Sequence, residues 1–294
     1  MKKRVLSAML VAAMAMTAMP SQTFAEGALD AVQQTGKLSY DGYTLKWNDE
    51  FDGDSLNRTD WNVETHEKGW VNNELQEYVD SAENIQVKDG KLIINPVKKV
   101  TDGDTGSTKE AASYTSGRVS TQNKQTFTYG RFECRAKVPK GQGYLPAFWL
   151  MANDENVYGQ WPRCGEIDCM EVMGQETNKA YGTIHYGNPH SESQKTYTLP
   201  AGDDFSKNFH TFTCDWEPGK ITWYVDGDKY HEESDWYSTT VGQGTLTYPA
   251  PFDQPFYIIL NLAVGGSWVG NPNDETSFEN NPYEIDYVRV LPER

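Results

Sequence analysis

The chain has 294 residues and a formal net charge of −16 at pH 7, from 42 Asp and Glu against 26 Lys and Arg. No Lys/Arg cluster interrupts this acidic background, so a phosphate backbone would be repelled and nucleic acid is excluded as a partner. Beyond the first two dozen residues no run approaches the roughly 18 consecutive apolar residues of a membrane span, and the acidity leaves a neutral polymer as the natural ligand.

In chain order, Lys2-Lys3-Arg4 is followed by the apolar stretch Val5 to Met19 and by Thr23-Phe24-Ala25, the charged, apolar and small-residue regions of a secretory signal peptide. Residues 1-25 are expected to be removed on export, leaving a secreted, extracellular protein that begins at Glu26. Loss of the three basic residues takes the charge to −19, with 23 basic residues against the same 42 acids. Residues 26-40 read as a polar connector, and 41-294 as one domain without repeat, low-complexity tract or second shift in composition.

Strand-like runs recur at 45–48, 85–87, 92–96, 117–121, 129–138, 147–151, 167–172, 180–186, 209–216, 220–225, 256–263 and 283–290. Turn residues separate them, as in Lys88-Asp-Gly90, Pro139-Lys-Gly141, Glu217-Pro-Gly219 and Asp226-Gly227. Helical periodicity with caps is almost absent after the leader. The expected fold is all-β, a jelly-roll sandwich of two curved antiparallel sheets, with 100–114, 187–208 and 232–254 as surface loops. Nine Trp and 17 Tyr exceed what a core of this size needs, and flat aromatic faces stack on the apolar faces of sugar rings.

The most informative stretch is Trp161-Pro-Arg-Cys-Gly-Glu-Ile-Asp-Cys-Met-Glu-Val-Met-Gly174, which sets Glu166, Asp168 and Glu171 in an apolar run. Taken alone, Glu-Ile-Asp reads as a solvated strand edge with its acids outward. Side chains alternate along a strand, so Glu166 and Asp168 share a face while Glu171, five residues after Glu166, falls on the other. A β-bulge near Cys169-Met170 restores the phase and returns Glu171 to the acidic face. The two glutamates are then roughly 13 Å apart at Cα. Side chains leaning together leave carboxyl groups about 5 to 6 Å apart, the spacing of a retaining glycosidase. Asp168 between them raises its neighbours' pKa values by like-charge repulsion.

The four cysteines, Cys134, Cys164, Cys169 and Cys214, lack Cys-x-x-Cys spacing and have no histidine pair at metal-ligand distances, so no structural zinc is expected. Export permits disulfides, yet Cys134 and Cys214 sit in strand patterns where a free thiol packs as a small hydrophobe; no pairing is assigned.

Ordered segments across roughly Tyr43 to Leu291 resemble the laminarinase-type members of glycoside hydrolase family 16. They are Asn48-Asp-Glu-Phe-Asp-Gly53, Gly69-Trp-Val-Asn-Asn-Glu-Leu-Gln-Glu-Tyr78, Ser116-Gly-Arg118, Pro146-Ala-Phe-Trp-Leu-Met151, Gly165-Glu-Ile-Asp-Cys-Met-Glu171, Thr183-Ile-His-Tyr-Gly187, Thr222-Trp-Tyr-Val-Asp-Gly227, Leu260-Asn-Leu-Ala-Val-Gly-Gly266 and Asp286-Tyr-Val-Arg-Val290. The resemblance implies a concanavalin A-like jelly roll whose concave face binds a polysaccharide, with 41-294 as the catalytic domain. It implies Glu166 as nucleophile, Glu171 as general acid/base and Asp168 in support. The Glu-x-Asp-x-x-Glu spacing favours β-1,3-glucan over the mixed-linkage lichenase pattern, which lacks the extra residue.

The resemblance further implies that Asn73, Arg118, Trp149, Trp161 and His185 line the cleft. Each has a rival reading: Asn73 shaping a turn, Arg118 pairing with surface acids, Trp149 packing in the core, His185 as a structural histidine. Alternation does not choose the face of Trp149, whereas Trp161 precedes the acidic strand where a loop-mounted ring can form a sugar platform. Leu145 stands where the family habitually has a Trp before Pro146. Relatives also imply a calcium site away from the cleft at Glu50, Gly90 and Asp286, structural rather than catalytic.

The expected activity is endo-hydrolysis of β-1,3-glucan with retention and without a required cofactor. The expected form is a monomer with a β-glucan as its partner and no membrane contact once the leader is gone. The rivals are a mixed-linkage β-1,3-1,4-glucanase, less readily a galactanase, and a non-catalytic glucan-binding module, against which all three acids speak.

Overall fold

The computed structural model describes residues 39–40, 43–99, 113–240 and 242–293. The leader, all but the end of the 26-40 connector and most of the expected loop 100–114 lie outside the described residues. Two antiparallel sheets are built from fifteen strands: β1 (Trp47–Asp49), β2 (Asn62–Val63), β3 (Ile85–Val87), β4 (Leu92–Ile94), β5 (Arg118–Ser120), β6 (Gly130–Lys137), β7 (Tyr144–Ala152), β8 (Glu166–Glu171), β9 (Lys179–Tyr186), β10 (Ser191–Thr198), β11 (His210–Glu217), β12 (Lys220–Val225), β13 (Asp228–Glu233), β14 (Phe256–Val264) and β15 (Tyr283–Leu291). One sheet runs β10-β9-β8-β7-β14-β5-β2, the other β13-β12-β11-β6-β15-β4-β3 with β1 paired to β15. A smaller sheet holds Gln76–Tyr78 parallel to Ser113–Ser116, with Val97–Lys99 antiparallel to the latter. No helix occurs among the described residues, so the all-β expectation stands.

Period-two burial explains how the sheets stack. Phe132 and Cys134 of β6 and Phe212, Cys214 and Trp216 of β11 are at most 1% exposed, as are Phe148, Leu150, Ile167 and Met170 of the seven-stranded sheet. Each such large side chain contributes about 1.5–3 kcal/mol by leaving water. All four cysteines are free and buried, and Cys134 and Cys214 pack as small hydrophobes in this core.

Two of the main-sheet strands fall where loops are expected, and a short pair, Thr239–Thr240 with Gly244–Thr245, also lies within 232–254. β10 occupies part of 187–208, and β13 runs into 232–254. Both are the outermost strands of their sheets. The sequence Ser-Glu-Ser-Gln-Lys-Thr-Tyr-Thr of β10 is exposed or half-buried throughout, so no apolar alternation announces it. Charged residues on such an edge also discourage pairing with another chain.

One inter-sheet contact positions β8. The buried Trp223 of β12 donates its indole N–H to the carbonyl of Asp168 at 2.8 Å. It reaches that carbonyl because Gly182 of β9 has no side chain: a Cβ there would lie 2.6 Å from Trp223 Cδ1 and 2.5 Å from Tyr230 Oη. The rigid indole has nowhere to go, so Gly182→Ala is expected to lower unfolding free energy by about 1–3 kcal/mol, the usual cost of overpacking. Denaturant titration checks this, and an unchanged midpoint would show that the contact is not tight.

Candidate active site

Backbone register carries the three acids to one face. Along β7, Phe148 pairs with Met170 and the next residue, Trp149, with Asp168, so Cys169 is passed over. Along β9, Thr183 and Tyr181 pair with Asp168 and Glu171, so a two-residue step on β9 spans three on β8. The extra residue is a bulge at Cys169, where the odd offset requires it. Met151, Trp149 and Ala147 then stand opposite Glu166, Asp168 and Glu171 on one side, and His185, Thr183 and Tyr181 on the other. Solvated strand-edge carboxylates do not describe this arrangement: Asp168 is 3% exposed, on a central strand.

Burial and mutual repulsion govern the protonation of this cluster. Burial and the charge of Asp168 push Glu166 up to about 8, while His185, a hydrogen bond from the Trp161 side chain and the charge of Arg118 pull it down. Water tempers this, since 16% of the Glu166 side chain remains exposed. Burial also raises Asp168, against its hydrogen bond to Glu166. Glu171 is held well above the ordinary carboxylate range by burial and by the charges of Asp168 and Glu166. Glu171 therefore keeps its proton while Glu166, with the most cationic and hydrogen-bonding help, is poised to ionise.

His185 bridges the cluster to the rim. Its Nε2 lies 3.1 Å from Asp168 Oδ2 and 3.8 Å from Glu166 Oε1, and its Nδ1 lies 2.8 Å from His190 Nε2. The indole N–H of Trp149 donates to Asn261 Oδ1 at 2.7 Å, and Asn261 donates in turn to Tyr78 Oη at 2.9 Å. Trp149 thus belongs to the acidic face and not to the core between the sheets. Arg118, 6% exposed, bonds Glu64 at 2.5 Å and lies 4.8 Å from the Trp149 ring and 5.3 Å from the Trp70 ring. Its partners are two rings and an inward-facing glutamate rather than surface acids.

Trp161 is 46% exposed beside His185 and His190, with ring centroids 6.3 and 5.3 Å away. Asn73 has φ +56° and donates to Ser267 Oγ at 2.9 Å, so it shapes the rim turn as well as facing outward. Three residues not singled out from the sequence join the site. Trp70, 49% exposed, stacks on His66 with centroids 3.5 Å apart. Trp268, 42% exposed, meets Tyr181 edge-on at 5.2 Å. The buried Glu74 adds negative charge near Glu171. Trp70 and Glu74 were visible inside the Gly69–Tyr78 segment, but nothing local in the sequence marks which of its residues face the acids. Leu145 is half-buried opposite Ala263, and no aromatic ring occupies its place.

The calcium expectation is not supported by side-chain geometry. Glu50 forks onto Arg289 at 2.9 and 2.8 Å, Asp286 bonds Arg135 at 2.5 Å, and Gly90 sits at φ +69° in the Lys88–Lys91 turn. Both carboxylates of the expected set are thus paired with arginines, which leaves a hard cation to compete with those ion pairs.

The raised carboxyls make stability depend on pH. A carboxyl whose folded pKa exceeds its unfolded value binds its proton more tightly in the folded state, so stability falls as pH rises from about 4.5 through the folded pKa. Glu171→Gln is expected to raise the melting temperature at pH 9 relative to the parent, with the gain shrinking toward pH 4.5. A gain independent of pH would contradict the shift.

A family model, Glycosyl hydrolases family 16, matches residues 72–289. Glucan endo-1,3-beta-glucosidase of Cryptopygus antarcticus is 38% identical over 265 residues, covering 86% of this chain and 93% of that protein. Glucan endo-1,3-beta-glucosidase A1 of Niallia circulans is 39% identical over 268 residues; 86% of this chain is covered but only 38% of that longer protein. The crystal structure of the endo-beta-1,3-glucanase from Pyrococcus furiosus superposes with a TM-score of 0.72 at 38% identity, covering 87% of this chain and 97% of that one. Relatives of lower identity are named for 1,3-1,4-glycan cleavage and for β-1,3-glucan binding. The sandwich, the acidic bulged strand and these matches agree: the chain belongs to glycosyl hydrolases family 16.

Proposed function

We propose that this chain is a secreted, monomeric, endo-acting β-1,3-glucan hydrolase that works with retention. The observation that carries the reading is the bulge at Cys169, which sets a proton-holding Glu171 and an ionisable Glu166 on one face with Asp168 between them. Three exposed tryptophans, Trp70, Trp161 and Trp268, surround that face and suit the apolar faces of glucose rings. Names of the similar proteins supply the linkage, and the Lys2-Lys3-Arg4 leader supplies the export reading.

In the first step Glu171 donates its proton to the glycosidic oxygen as Glu166 Oε attacks the anomeric carbon. The aglycone leaves, and the sugar is held as an ester on Glu166. Water then attacks the same carbon, Glu171 takes its proton, and the ester bond breaks to free Glu166. Asp168 and His185 position Glu166 and adjust its charge, while Arg118, Trp149 and Asn73 shape the adjoining floor and rim. Side chains supply both proton transfers and the nucleophile, so the proposed cycle calls for no cofactor.

Azide separates the two roles. With Glu166→Ala and an activated aryl β-glucan donor, azide should restore turnover and give the α-glycosyl azide, since a single displacement inverts the centre. With Glu171→Ala it should give the β-azide, because the ester on Glu166 still forms first. The reverse pattern would overturn the assignment. With unactivated laminarin, Glu171→Gln should lower kcat by about 10²–10⁴-fold, the range for losing a general acid.

Mixed-linkage cleavage is the second reading. Leu145 leaves an aliphatic surface two residues from Ala147, the partner of Glu171 on β7, and two relatives carry 1,3-1,4 names. Initial rates on laminarin should exceed those on lichenan; faster lichenan hydrolysis would reverse the preference.

A further inference from the structure

The hairpin β9–β10 carries a second constellation of ligand atoms. His185 and Glu192 are direct cross-strand partners, and Tyr186 pairs with Ser191, so the turn between them returns His190 over the same face. The resulting triangle has His185 Nδ1 2.8 Å from His190 Nε2, His185 Nδ1 3.5 Å from Glu192 Oε2, and His190 Nε2 3.9 Å from Glu192 Oε2. Ligand atoms at about 2.0–2.1 Å from a tetrahedral zinc are about 3.3 Å apart, a value these three separations bracket. The turn is pinned from outside the hairpin, since Asn188 donates its N–H to the Thr239 carbonyl at 2.8 Å.

The far side of His185 completes the pattern. Its Nε2 is 3.1 Å from Asp168 Oδ2, an oxygen that is buried and has no aligned hydrogen-bond partner. Metal-bound histidines characteristically hand their other N–H to a carboxylate, which fixes the tautomer and strengthens the ligand. An ion on His185 Nδ1 would leave the single ring N–H on Nε2, the nitrogen that lies 3.1 Å from that oxygen. His190 and Glu192 are 39% and 51% exposed at their side chains, leaving an open approach and room for a water as fourth ligand.

We propose that His185, His190 and Glu192 form a binding site for a divalent transition-metal ion of the zinc type, joined to the catalytic acids through the His185–Asp168 contact. Two imidazoles and one carboxylate select a borderline-soft ion over calcium or magnesium, which prefer all-oxygen sites.

The test uses chelator-treated full-length enzyme and His190→Gln, which keeps a planar side chain against Trp161. Calorimetry follows Zn²⁺ uptake, and visible absorption of Co²⁺ reports the ligand geometry, with Mg²⁺ as control. Wild type should take up Zn²⁺ saturably and show the intense d–d bands of a four-coordinate cobalt site, and His190→Gln should bind at least about tenfold more weakly. Equal zinc affinity in the two proteins, or no zinc uptake by the wild type, would overturn the proposal. The uptake measurement needs no substrate, so its failure is distinguishable from failure of the reaction assigned above.

Discussion

Everything at this site depends on one irregularity, the extra residue that Cys169 inserts into β8. A regular strand would direct Glu171 into the core between the sheets, where an acid without a partner is not tolerated. With the bulge, Glu171 turns to the face of Glu166 and Asp168. The second sheet anchors the same point: Trp223 reaches across the core to the Asp168 carbonyl, and Gly182 leaves the space for it to do so. Core packing and catalytic geometry are therefore one construction. The sheet that stabilises the domain is also the ruler that spaces the acids.

The electrostatics follow from the same placement. Three carboxyls gathered in a partly dry cleft cannot all ionise cheaply, so repulsion separates them into one that holds a proton and one that gives it up. Trp161 and Arg118 favour ionised Glu166, while the charge of His185 acts in the same direction on both glutamates. A fold that spends stability on repelling charges is the usual trade at a reactive site. The tryptophans around the cleft add surface that a polysaccharide can cover.

Much of this was legible in the sequence because it follows from parity. The offset of five between Glu166 and Glu171 demands a bulge if both are to face one cleft, and the register shows one at Cys169. Inner strands announce themselves by apolar alternation, as in β6 and β11, or by a nearly continuous apolar run, as in β14. β10 does not, since an edge strand wet on both faces carries no burial signal. Parity also could not choose a face for Trp149, because all its neighbours on β7 are apolar; pairing with Asp168 decided it. Trp268 was hidden for another reason, since only long-range folding brings its loop beside Tyr181. The pairing of Asp286 and Glu50 was not legible either, because their arginine partners, Arg135 and Arg289, lie far along the chain or across the sheet.

The central claim is that the bulge creates a cluster in which Glu171 holds its proton more tightly than Glu166 does. Side-chain ¹³C NMR of glutamate-labelled enzyme across pH 4 to 10, with resonances assigned from the Glu166→Gln and Glu171→Gln variants, reads this directly. The account predicts that Glu171 Cδ keeps the shift of a neutral carboxylic acid at neutral pH and titrates after Glu166. A Glu171 resonance that moves to its carboxylate position near pH 4.5, together with the exposed glutamates, would contradict it.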